Sequence, residues 1–234
     1  RNKMEEILRS GLAALGLPAD CVPQLLRYAA LLEEKNRVMN LTAITDPAEV
    51  ARLHFLDSAA LLTLTDLRGK TLVDVGTGAG FPGLPIRIVE PSVRVTLLDS
   101  LGKRVAFLQE VCDVLGLSDV ACVHARAEEF AAGNRERFDA AVSRAVATLP
   151  MLAELCLPLV KVGGTFIAMK SVGAVEELDA AGRAVSVLGG RIAAVRDYAI
   201  PGTEITHRAV LIEKVKPTPP KYPRPFAKIK KAPL

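Results

Sequence analysis

The stretch Leu72-Val73-Asp74-Val75-Gly76-Thr77-Gly78-Ala79-Gly80-Phe81-Pro82-Gly83 constrains this chain more than any other. An apolar run carrying an acid feeds into a glycine-dense turn, and a helix is expected to follow from about Pro82. A run of that kind is what a parallel strand covered on both faces requires. The glycines permit a tight turn and let backbone N–H groups approach a ligand closely, at the sheet edge where α/β proteins bind nucleotides.

The position of the acid narrows the ligand. Asp74 lies two residues before Gly76, where its carboxylate would face and repel a pyrophosphate held in the turn. A cationic ligand such as S-adenosyl-L-methionine, with its sulfonium and α-amino groups, suits that position. Gly78, Gly80 and Gly83 also satisfy G-x-G-x-x-G, so a dinucleotide fold is the rival reading. Asp99, 19 residues after Gly80 at the end of the next apolar run, would accept the ribose hydroxyls of either ligand and does not discriminate.

Around this turn the texture of the chain changes. Residues 4–62 carry apolar positions at helical spacing, broken at Leu17-Pro18, and Asp46-Pro47 is expected to cap a third helix. From Thr71 strands are expected near 71–75, 94–98, 120–124, 138–143 and 165–169, with helices near 82–90, 102–115, 149–159 and 174–188. Two more strands, near 191–198 and 207–214, flank Pro201-Gly202 and are expected to pair antiparallel. The alternation predicts an α/β fold with a doubly wound, mainly parallel seven-stranded sheet. It divides into a helical N-terminal cap (1–66), a ligand-binding domain (67–214) and a tail (215–234).

The net charge of +4 is unevenly spread. Residues 214–234 contain seven Lys and Arg and no acid, leaving the rest of the chain at −3. A slightly acidic body with a basic, proline-rich tail is the pattern of a chain that meets nucleic acid phosphates, and Lys221, Arg224, Lys228, Lys230 and Lys231 are the expected contacts. The competing reading is a solvated, disordered end. No apolar run suggests a membrane span or a signal peptide, and the four cysteines lack metal-ligand spacing, so reduced thiols, no metal and a cytoplasmic location are expected.

Each later strand end offers a candidate group. Glu128 follows the third strand, where it would reach an adenine, although Glu128-Glu129 also suits a solvated helix start. Arg144 and Lys170 end the fourth and fifth strands, and a surface ion pair is the plain alternative for each. His54 and Asp57, spaced i, i+3, are expected to share a helix face, with Asp57 orienting His54 as a base or the pair pinning the cap to the sheet. Phe55 and Phe81 would serve for base stacking or for core packing equally well. The chain has neither Pro-Cys nor Asp/Asn-Pro-Pro-Tyr/Phe, devices used for methylation at pyrimidine C5 and at exocyclic amines. A nitrogen with a free lone pair, such as guanine N7, needs neither; alignment alone supplies much of the acceleration.

Several ordered motifs together resemble the bacterial 16S ribosomal RNA guanine-N7 methyltransferase family, also called glucose-inhibited division protein B. They are Asn40-Leu41-Thr42-Ala43-Ile44, His54-Phe55-Leu56-Asp57-Ser58, the glycine turn, Leu98-Asp99-Ser100-Leu101-Gly102-Lys103-Arg104, Ser143-Arg144-Ala145, Met169-Lys170 and Tyr222-Pro223-Arg224. Pro225 departs from the glycine that usually follows that last motif. The resemblance implies a class I S-adenosylmethionine-dependent methyltransferase with a Rossmann-like sheet. Its cofactor contacts fall on Gly76, Phe81, Ala127, Glu128 and Arg144. It further implies transfer to guanosine 527 of 16S ribosomal RNA, in the small ribosomal subunit or its assembly intermediate, by a monomer. The alternatives are an NAD(P)-dependent oxidoreductase and a non-catalytic RNA-binding relative.

Overall fold

The computed structural model describes residues 2–173 and 175–234; Arg1 and Ala174 lie outside the described residues. Helices α1 (Asn2–Ala14) and α2 (Val22–Met39) open the chain. The third helical stretch begins as expected, with the Asp46 carboxylate accepting the Glu49 N–H at 3.1 Å over α3 (Pro47–Glu49). It then widens into a π-helix (Val50–Leu56) before α4 (Asp57–Ala60) and a 3₁₀ turn (Leu61–Thr63).

Strands and helices alternate from there: β1 (Thr71–Val75), α5 (Gly83–Val89), β2 (Arg94–Asp99), α6 (Gly102–Leu115), β3 (Val120–His124), α7 (Ala127–Asn134) and β4 (Phe138–Ser143). They continue as α8 (Leu149–Cys156), a 3₁₀ turn (Leu157–Leu159), β5 (Val160–Ser171), α9 (Val175–Val187), β6 (Gly190–Ala199), β7 (Thr206–Lys214) and α10 (Phe226–Lys231). One seven-stranded sheet results, in the order β3-β2-β1-β4-β5-β7-β6. Strands β1 to β5 are parallel, and β7 runs antiparallel to both β5 and β6. Asp74 pairs with Leu97 on one side and Val142 on the other, so the ends of β1, β2 and β4 reach the same edge.

Side chains alternate across the sheet with the period of two that strands impose. Leu72, Leu97, Val142 and Ile167 enter one core with α1, α2, the π-helix, α5 and α6. Val73, Leu98, Ala141 and Phe166 enter the other with α8, α9 and the tail. The N-terminal helices therefore share a core with the sheet. Cys21, Cys112, Cys122 and Cys156 are all free thiols. Among the described residues no helix is long and apolar enough to cross a membrane.

The tail is folded, which corrects both the disordered reading and part of the charge assignment. Lys214 is wholly buried at the end of β7, donating to the carbonyls of Leu157 (2.7 Å) and Val160 (2.8 Å) and pairing with Glu136 at 3.0 Å. Burial holds its ammonium below the ordinary lysine range. Arg135 then donates to the carbonyls of Thr218 (3.0 Å) and Tyr222 (2.5 Å), and Tyr222 and Ile229 are buried in the second core. Arg224 grips Glu154 of α8, a fully buried carboxylate, with Nη2 at 2.7 Å and its backbone N–H at 2.8 Å. It is thus a tether and not a free contact for RNA, because a buried carboxylate without a partner is costly. Lys221, Lys228, Lys230 and Lys231 do remain exposed.

Removing this partner exposes the cost. Arg224→Ala is expected to lower the unfolding free energy in urea by about 3 kcal/mol, and adding Glu154→Leu to recover most of the loss.

Candidate active site

The glycine turn is held from below by two acids. Asp74 is fully buried; its Oδ2 accepts the Gly83 N–H and the Thr77 hydroxyl, both at 2.8 Å. Its Oδ1 is buried without a hydrogen-bond partner. Burial pushes this carboxyl up to about 7, against the two hydrogen bonds that favour the anion. Asp99, at the end of β2, accepts the Gly78 N–H at 2.8 Å and the Leu101 N–H at 3.0 Å, with Arg104 at 3.7 Å. Each Asp99 oxygen keeps a lone pair for a further donor.

The glycines divide by what a side chain would meet. At Gly78 (φ +59°) an added Cβ would enter open space, so this residue sits on the open side of the turn. At Gly76 (φ +70°) it would touch only Ala145, at 3.4 Å. At Gly80 it would collide with the Tyr28 hydroxyl, which donates to the Ala79 carbonyl. Gly80, expected to bind a cofactor, is therefore required by core packing. Phe81 is also turned inward: its ring stacks on His54 (4.2 Å between centroids) and on Tyr28 (5.5 Å). Packing accounts for Phe81 and Phe55, both buried, and neither ring is free to stack on a base.

Arg144 sits where β4 leaves the sheet, and it is no surface ion pair. Its Nη1 donates to the Leu53 carbonyl at 3.2 Å and lies 3.9 Å from Asp57; its Nη2 donates to His54 Nδ1 at 2.9 Å, and the guanidinium covers the Phe81 ring at 5.2 Å. Since His54 Nδ1 accepts that bond, the ring proton is on Nε2, facing Thr42 Oγ1 at 2.8 Å. Burial and the neighbouring Arg144 charge hold His54 down at about 3, so the ring is neutral and a poor base.

The expected His54–Asp57 pair does not form. The π-helix widens the turn, so i, i+3 spacing no longer stacks two side chains. Asp57 instead accepts Tyr198 Oη at 2.6 Å and His207 Nδ1 at 3.2 Å. Both residues pin the cap to the sheet, but through separate partners. Tyr198 and His207 are direct cross-strand neighbours on β6 and β7, and sequence reasoning missed both. The only signal was a polar pair at register positions facing each other across the Pro201-Gly202 turn.

Lys170, a catalytic candidate, is committed elsewhere. Its Nζ donates to the Ala147 carbonyl at 2.5 Å and pairs with Glu177 at 2.9 Å, and Glu177 in turn accepts the first N–H of α8 at Leu149. It braces the loop after β4. Ala127 and Glu128 open α7, one strand beyond Asp99, and Glu128 lies 4.0 Å from Arg126. Phe226, at the start of α10, lies under Arg126 at 5.9 Å, so the tail's last helix begins beside the same sheet edge.

An open ligand face at Gly78, an orphaned buried acceptor at Asp74 and an acid with spare lone pairs at Asp99 fit S-adenosylmethionine. A positive group above the turn relieves Asp74, whereas a pyrophosphate would oppose it. The sheet order and this edge define a class I S-adenosylmethionine-dependent methyltransferase. TYW2 of M. jannaschii, crystallised in complex with AdoMet, shares the fold (TM-score 0.55, 12% identity, covering 68% of this chain and 75% of that one). So does TrmN from Thermus thermophilus (TM-score 0.54, 23% identity, covering 68% and 48%). The chain belongs to the GidB family, rRNA small subunit methyltransferase G, whose model matches residues 22–205. Relatives of that name in Alkaliphilus metalliredigens and Geobacillus kaustophilus are each 49% identical to it, covering 93% and 89% of both chains.

Two measurements check the turn. Gly78→Val should fold, with about 1 kcal/mol lost to its positive φ, yet lose S-adenosylhomocysteine binding in calorimetry. Gly80→Ala should instead lower stability by about 2 kcal/mol or more through the Tyr28 collision. For Asp74, a cation above the turn favours the anion and lowers its pKa, so binding releases a proton. Affinity should rise as pH climbs toward about 7 and level off above it. Calorimetry in buffers of different ionisation enthalpy reads the proton, and Asp74→Asn should abolish its release.

Proposed function

We propose that this chain transfers a methyl group from S-adenosylmethionine to N7 of a guanosine in 16S ribosomal RNA, guanosine 527 by family resemblance. The observation that carries this reading is the single sheet edge on which the open face of Gly78, the acids Asp74 and Asp99, and the Arg144 crevice meet, in a chain of the rRNA small subunit methyltransferase G family. S-adenosylmethionine, when bound, supplies an electrophilic methyl carbon. Asp74 and the backbone at Gly76 and Gly78 hold the amino-acid end, Asp99 the ribose, and Ala127 with Glu128 the adenine.

Guanine N7 already carries its lone pair, so no residue needs to remove a proton. The neutral His54 is consistent with that chemistry. Its part is to fix Arg144, and Arg144 with Asp57 fixes the crevice in which the base lies. Catalysis then comes from alignment and exclusion of water. Residues 1–66 form one wall of this site, 67–214 the transferase domain, and 215–234 a strap carrying exposed lysines. The protein acts as a cytoplasmic monomer on the small subunit or an assembly intermediate of it.

The test is methyl transfer from labelled S-adenosylmethionine to small subunits lacking the modification, followed by chain cleavage selective for N7-methylguanosine. Label elsewhere in the RNA, or none, overturns the reading. Replacing Lys221, Lys228, Lys230 and Lys231 with glutamine should weaken RNA binding and flatten its salt dependence by about 2–4 counterions. Stability and S-adenosylhomocysteine affinity should hardly change, since none of the four is buried.

A further inference from the structure

A crevice of about 310 Å³ opens beside the glycine turn, lined by Asp57, Arg144, Met169, Lys170, Tyr198 and His207. Its polar groups are almost all donors. Each Asp57 oxygen already accepts one bond, from Tyr198 and from His207. Arg144 has N–H groups left over after its bonds to Leu53 and His54. His207 gives Nδ1 to Asp57, while its Nε2 has no hydrogen-bond partner among the described residues, and the side chain is 32% exposed. Val146, wholly exposed on the loop after β4, offers an apolar flank.

A crevice of donors fits an edge of acceptors. Guanine presents N7 and O6 side by side, whereas adenine presents N7 beside an amino donor. In N7 methylation the N7 lone pair must remain free to attack the methyl carbon. Only O6 is then left to be recognised on that edge, and one donor suffices.

Resting on the proposed reaction, we infer that His207 determines specificity for the acceptor base, its Nε2–H donating to guanine O6 while Asp57 holds the opposite side of the ring. Adenine would set its amino group against that donor. The Asp57 carboxylate raises the His207 pKa, which keeps both ring nitrogens protonated to higher pH. The same carboxylate offsets the imidazolium charge, so the donor does not oppose the positive charge that develops on the methylated base. The charged and titratable groups facing His207 are Asp57 on α4, Arg144 after β4, Lys170 on β5 and Tyr198 on β6. Of these, Arg144 works against the imidazolium, Lys170 is turned to Ala147 and Glu177, and Asp57 in direct contact prevails.

The test is a cycle of enzyme and substrate variants. Small subunits are assembled with guanosine, inosine or 2-aminopurine riboside at the acceptor position; inosine keeps O6 and 2-aminopurine lacks it. Methyl transfer is measured with wild type, His207→Ala and His207→Gln. Wild type should treat inosine like guanosine and lose about 30-fold in kcat/KM on 2-aminopurine, the worth of one hydrogen bond to a charged donor. His207→Ala should be about 30-fold slower on guanosine and lose little more on 2-aminopurine. Wild-type activity should decline at high pH as Nε2 loses its proton, and His207→Gln, a neutral donor, should recover part of the rate and remove that decline. His207→Ala also removes the Nδ1 bond to buried Asp57 and is expected to lose urea stability. Unchanged S-adenosylhomocysteine affinity in both variants, together with a rate loss that 2-aminopurine does not deepen, therefore separates this role from a structural one; loss of that affinity in both variants overturns it. An undiminished penalty for 2-aminopurine in His207→Ala, or none in wild type, overturns the assignment of His207 alone. Absence of transfer by wild type to guanosine overturns the underlying reaction with it.

Discussion

The guanidinium of Arg144 is the contact on which the geometry of this edge depends. It leaves the sheet at the end of β4, yet its partners are the π-helix (Leu53 and His54), Asp57 at the start of α4, and the Phe81 ring in the glycine turn. Three separately encoded segments are thereby held by one planar group. Arginine suits this task because its donors are fixed in a fork and its face stacks on aromatic rings. Asp57 extends the arrangement to β6 and β7, so the cap, the turn and the antiparallel hairpin share one chain of bonds.

The basic tail shows that charge and contact are separate questions. Seven positive residues lie between 214 and 234, but Lys214 and Arg224 satisfy buried carbonyls and carboxylates. What remains for a polyanion is a smaller set of lysines mounted on a docked segment. A docked segment has little conformational entropy left to lose on meeting any partner, unlike a free arm. The packing of Tyr222 and Ile229 therefore fixes where those lysines stand.

Most of the sheet was legible from the sequence, because strand periodicity and glycine placement are local properties. All seven strands fall where apolar alternation put them, and the antiparallel pair closes around Pro201-Gly202. The site was legible only in part. Asp74, Gly78 and Asp99 belong to one short unit, and their meeting at one turn follows from it. Asp57 and His207 lie 150 residues apart, and Arg224 lies 70 from Glu154, so neither contact leaves a local trace. The π-helix failed for a different reason: a helical repeat was assumed, and one added residue per turn sends His54 and Asp57 to different partners. Gly80 has two reasons to be glycine, its φ of +110° in the turn and the Tyr28 hydroxyl of α2, and only the first is local.

The pairing of Arg224 with Glu154 also bears on how the chain comes into being. Synthesis runs from the N-terminus, so Glu154 leaves the ribosome 70 residues before the group that neutralises it. Until then α8 carries an acid on the face it must bury, and the second core lacks Tyr222 and Ile229. The first core also draws on chain made after Glu154, through Ile167 and Met169 of β5, Tyr198 of β6 and Ala209 and Leu211 of β7. Neither face of the sheet is therefore complete until β7 has emerged, and the second waits longer still, for the strap.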